Sequence, residues 1–118
     1  MSVKAFLADV RSWAREYRYP DYVCADFADH VCQTAAQKGI KCGYVTIHFR
    51  GLQMGHAIVA FNTDYGLKYF EPQSGEEEHL DVGKPYRTRM GGVPEGAIVA
   101  SVRIKWNDGT TTLPGLFA

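Results

Sequence analysis

A thiol, an imidazole and a carboxylate stand in that order along the chain, at Cys24, His56 and Glu71, within the strings YVCADFADHVCQ, MGHAIVAF and KYFEPQ. These are the groups of a Cys-His-acid centre. The thiolate attacks, the imidazole takes and returns its proton, and the carboxylate orients the imidazole. Cys24 opens a segment with a helical apolar stripe. At a helix start, unpaired backbone N–H groups and the positive end of the dipole favour a thiolate. The same N–H groups donate to an oxyanion forming on an attacked carbonyl. Tyr19 and Tyr22, just upstream, are candidate oxyanion donors, and Gln73 is a second candidate to orient the histidine. Taken singly, each group has a plainer explanation. A free cysteine is most often a core residue, a strand histidine is most often held by a neighbour, and Glu71 before Pro72 is a strand-end carboxylate. The joint placement is what points to chemistry.

Positioning these groups requires two helices followed by strands. Ser2 caps a first helix with Val3, Phe6, Leu7, Val10, Trp13, Ala14 and Tyr17 on one face. Tyr19-Pro20-Asp21 interrupts the pattern. A second helix begins near Tyr22 or Cys24, with Asp21 as its N-cap and an inward stripe of Cys24, Phe27, Ala28, Val31 and Ala35. Lys38, Gly39 and Ile40 form its stop. From Lys41 the period drops to two. Strands are expected over 41–49, 55–62 and 67–71, with Thr63-Asp64-Tyr65-Gly66 a tight hairpin turn. Residues 73–96 read as a long excursion with a short strand around Tyr86, and Glu76-Glu77-Glu78 as a solvated loop. Residues 97–106 are the strongest strand, and Thr110–Leu113 a possible edge strand. Helices first and antiparallel strands after give an α+β layer fold, N-terminal helices packed on an antiparallel sheet.

The hairpin decides whether His56 meets Glu71. A two-residue turn at Thr63-Asp64 sets position 56 opposite 71. A four-residue turn sets 58 opposite 71 and 56 opposite 73. In both registers His56 and Glu71 share a face, and a one-residue slip separates them.

At 118 residues the chain is expected to be a single domain, 1–118. Apolar residues make up 46% and charged residues 22%, an ordinary globular balance. Thirteen basic residues offset thirteen acidic ones, which gives no electrostatic footprint for nucleic acid or an anionic membrane. No apolar run reaches the ~18 residues of a membrane span. No secretory pattern opens the chain, so the expected compartment is the cytoplasm. Three cysteines, Cys24, Cys32 and Cys42, do not make a disulfide framework. Cys24 and Cys32 would lie roughly 12 Å apart along a helix, too far to bridge. Bonds from Cys42 to either remain open, and buried small hydrophobes are the simpler reading of Cys32 and Cys42. With no CxxC or HxxxH pair and no GxGxxG or GK[ST], neither a metal nor a cofactor is expected. His30 is expected on a helix flank, His48 and His79 in exposed positions, and Asp26 and Asp29 on a solvated helix face.

The string CADFADHVCQTAAQKGIKCGYVTI, then Gly55-His56-Ala57, then Phe70-Glu71-Pro72, resembles the transglutaminase-like branch of the papain-type cysteine enzymes. The likeness covers residues 22–73. It implies a papain- or transglutaminase-like core and a catalytic triad of Cys24, His56 and Glu71 acting through a thioester acyl-enzyme. Glu71 stands where that family usually has Asp; its longer side chain either reaches from a shifted register or marks a site that has drifted. The expected activity is that of a thiol peptidase or amidase acting on a peptide or amide. The alternative is a catalytically inactive binding or structural module of the same fold.

Overall fold

The Ser2 hydroxyl accepts the Ala5 N–H at 3.1 Å and starts the first helix, α1 (Val3–Ala14). The computed structural model describes residues 2–14, 24–86 and 93–115, with residues 12–14 and 24 described by their backbone alone. The Asp21 cap and the Tyr17 end of the α1 stripe therefore lie outside the described residues. The second helix, α2 (Cys24–Gln37), ends as its sequence demands. The Ile40 N–H donates to the Ala35 carbonyl at 2.8 Å and the Gly39 N–H to Ala36 at 3.1 Å, with Gly39 at φ +72°. That is a Schellman stop, and glycine takes the left-handed position without a Cβ penalty.

Six strands follow: β1 (Gly43–Phe49), β2 (Gly55–Thr63), β3 (Gly66–Phe70), β4 (Glu77–Glu78), β5 (Val99–Trp106) and β6 (Thr111–Thr112). They form one antiparallel sheet in the order β4-β3-β2-β1-β5-β6. Two helices packed on this sheet make the α+β arrangement expected from the chain. The Glu76-Glu77-Glu78 reading needs correction. Glu77 and Glu78 pair with Phe70 and Tyr69 as an edge strand, and Glu78 is buried. A three-residue acidic run carries no strand signal of its own; the open edge of β3 recruits it. Around Tyr86 the pairing shrinks to a single bridge, Pro85 with Ile98, flanked by Tyr86 N–H to Ala97 at 2.9 Å.

Both faces of the sheet carry a core, most completely at the central strand β2. Toward the helices, Ala57, Val59, Phe61, Phe70 and Cys42 pack with Phe6, Leu7 and Val10 of α1 and with Phe27, Ala28, Val31 and Ala35 of α2. On the other face, Val45, Ile47, Phe49, Ile58, Ala60, Val102 and Ile104 form a second core. The cover there comes from the excursion itself, through Tyr86 with Leu80, Val93 and Ala97. Every side chain of β2 from His56 to Phe61 is consequently buried, which accounts for its continuous apolar run.

Candidate functional site

Thr63 pairs with Gly66, so the hairpin turn is Asp64-Tyr65, pinned by the Thr63 hydroxyl donating to the Gly66 carbonyl at 2.8 Å. Val59 lies opposite Phe70. Extending that register by one residue sets Glu71 opposite Ile58, the second of the two registers considered. His56 and Glu71 are then diagonal neighbours on one face, a separation a glutamate spans more easily than an aspartate. The two groups meet: His56 Nε2 lies 2.8 Å from Glu71 Oε2. The ring nitrogen in this contact is Nε2, and Nδ1 is the nitrogen on the opposite side of the ring. The pair is almost wholly enclosed, with side-chain exposures of 5% and 0%.

The carboxylate is held from behind by its own turn. Glu71 donates its N–H to the Glu76 carbonyl at 2.8 Å, and its carbonyl accepts the Gly75 N–H at 2.7 Å. Its second oxygen, Oε1, accepts the Gln73 N–H at 3.3 Å. Gln73 thus supports Glu71 through its main chain, while Glu71 itself faces the histidine. A carboxylate fixed this way presents one oxygen to the ring in one orientation. The histidine also has an aromatic neighbour. The Tyr86 ring stands 6.0 Å from the His56 ring and 5.7 Å from Phe49. Tyr86 was not foreseen as part of this environment. It sits beyond the hairpin in a stretch with no periodicity, and only the folded excursion brings it here. Gly55, just before the histidine, has no room for a side chain: a Cβ there would lie 2.8 Å from the Ile47 carbonyl oxygen.

Cys24 is the first residue of α2, the expected helix start. Its side chain, together with Tyr19 and Tyr22, lies outside the described residues. The His56 side chain has a definite direction. His56 partners Ile47 and alternates with Ala57, so it shares the face of Ile58 and Ala60, away from the one on which α2 packs.

The remaining candidates fall where their patterns put them. His48 and His79 are exposed, His30 is half-buried on α2, and Asp26 and Asp29 are exposed. Gln33 donates to Asp29 at 2.7 Å along the same helix face. Among the described residues, no three His, Cys, Asp or Glu side chains converge as a metal would require, and no helix is long and apolar enough to cross a membrane. One cavity of about 590 Å³ lies between α2 and the β1/β5 end of the sheet, lined by Asp29, Cys32, Gln33, Tyr44, Lys105 and Trp106 among others. A second, of about 560 Å³, lies between the start of α1 and the β2–β3 hairpin. Neither is lined by His56 or Glu71. No family model, curated protein or solved structure matches the chain.

Proposed function

We propose that the chain is a cysteine-dependent acyl-transfer enzyme of the transglutaminase-like kind, a peptidase or amidase using Cys24, His56 and Glu71. The observation that carries this reading is the enclosed His56–Glu71 pair, joined through Nε2. A carboxylate on Nε2 sets the tautomer and stabilises the imidazolium, and Nδ1 is the nitrogen this reading assigns to the thiol. The level of α2 is compatible. Cys24 precedes Cys32 by about 12 Å along the helix axis, Cys32 touches Cys42 beside the start of β1, and that span equals three to four strand residues. It reaches the level of Val45 and Thr46, the partners of Ile58 and Ala57, one residue short of the partner of His56.

In the proposed reaction the Cys24 thiol gives its proton to His56 Nδ1, and the sulfur attacks the carbonyl carbon of a peptide or amide. Backbone N–H groups at the start of α2 donate to the oxyanion. The imidazolium returns its proton to the departing amine, leaving a thioester. Water, deprotonated by the same ring, then releases the acid. The expected cytoplasmic setting keeps the thiol reduced.

A second reading is a catalytically inactive module. What favours it is the burial of His56 and Glu71 on the sheet face turned away from α2. Alkylation separates the two. With iodoacetamide near neutral pH, an activated Cys24 is modified at least about tenfold faster than Cys32 or Cys42, and His56→Ala removes the advantage. Equal rates at all three cysteines would leave the inactive module.

A further inference from the structure

Two other thiols meet inside the molecule. Cys32, two turns along α2 from Cys24, and Cys42, the residue before β1, bring their sulfurs to 3.0 Å, with both side chains buried. That is inside the ordinary contact distance of two sulfur atoms and about 1 Å beyond the ~2.05 Å of a disulfide. Small χ1 rotations close such a gap, because the two backbones are already held in register from outside. The Asn107 side chain donates to the Ile40 carbonyl at 2.9 Å and to the Cys32 carbonyl at 3.4 Å. The two sulfurs also differ. Cys42 is fully enclosed, and its thiol is pushed well above the ordinary range by its hydrogen bond with Cys32, by burial and by the charge Cys32 would carry. Cys32 lines the cavity of about 590 Å³ beside Gln33, Tyr44 and Trp106.

We propose that Cys32 and Cys42 are a modification site, a dithiol that a hydroperoxide entering this cavity converts to an internal disulfide. The Cys32 thiolate attacks the nearer peroxide oxygen. The O–O bond breaks, the attacked oxygen stays on sulfur as a sulfenic acid, and the other oxygen leaves as water or an alcohol with the proton that the Cys32 thiol gave up. The Cys42 sulfur attacks the sulfenic sulfur, the S–S bond forms, and hydroxide departs with the Cys42 proton as water. Two thiols are oxidised and one peroxide is reduced. The product ties the second half of α2 to the entrance of β1 across a sequence separation of 10, and a small thiol reverses it by exchange.

The test uses the full chain and its Cys24→Ala variant, so that only Cys32 and Cys42 remain. Hydrogen peroxide is added to the folded variant, and the intact mass and the thiol titre are read. The expected result is loss of two hydrogens, disappearance of both titratable thiols, a linked peptide spanning both cysteines, and a rise in Tm on the order of 10 °C. Dithiothreitol restores the starting mass. Cys42→Ala, in the same background, instead accumulates a dimedone-reactive sulfenic acid at Cys32. Two titratable thiols after peroxide treatment, separate sulfinic acids, or disulfides only between chains would each overturn the proposal. None of these outcomes depends on acyl transfer, so this test and the alkylation test fail independently.

Discussion

At the level of single residues, the contact between Nε2 and Oε2 assigns the two ring nitrogens different tasks. Glu71 is fully enclosed and its turn supplies N–H groups to both its carbonyl and its Oε1 oxygen. Glu71→Gln keeps the shape and one accepting oxygen but removes the charge facing the ring. Under the proposed mechanism the imidazolium loses its stabiliser, and alkylation of Cys24 at neutral pH slows about tenfold, some 1.4 kcal/mol. An unchanged rate, measured by the same iodoacetamide assay, would show that Glu71 only fills space. The meeting of His56 with Glu71 was legible before folding because both registers of the hairpin put the two on one face. Which oxygen met which nitrogen was not legible, since it follows from a register two residues apart from an equally plausible one. Tyr86 was not legible either. Its place beside His56 depends on how some twenty residues of excursion fold back, and no periodicity encodes that.

Among the elements, the clearest match between chain and structure is the end of α2. Lys38-Gly39-Ile40 carries a local signal, and the Schellman bonds answer it. An added Cβ at Gly39 meets nothing within 4 Å, so Gly39→Ala costs only the left-handed backbone penalty. About 1 kcal/mol is expected, read as a lower midpoint in a urea titration with an unchanged slope. The hairpin shows the same locality: Thr63 and Gly66 close a turn whose chemistry lies within four residues. β4 shows the reverse. Glu77 and Glu78 have poor strand propensity, and they pair because β3 would otherwise end in unmatched backbone groups. Elements with a local cause could be read from the chain. Elements recruited by a neighbour could not.

For the molecule as a whole, the excursion between β4 and β5 is a structural layer rather than a connection. It buries the sheet face that α1 and α2 leave open, through Tyr86, Leu80, Val93 and Ala97. Tyr86→Ala removes the ring packed on Phe49 and His56, and a loss of about 3 kcal/mol is expected. Hydrogen exchange should then quicken at the Tyr86 and Val99 amides, which bond across the Pro85–Ile98 bridge, and change little in α1. Equal acceleration throughout would mean that the cover is not a separable layer. The two ends of the sheet have a consequence of another kind. Each terminates in a strand of two residues, Glu77–Glu78 on one side and Thr111–Thr112 on the other. So short an outermost strand, acidic on one flank and hydroxylated on the other, itself offers a second copy only two residues of ladder to extend. A second copy arriving at either of these outermost strands finds few backbone groups to pair with, the short-border device by which sheets discourage edge-to-edge joining.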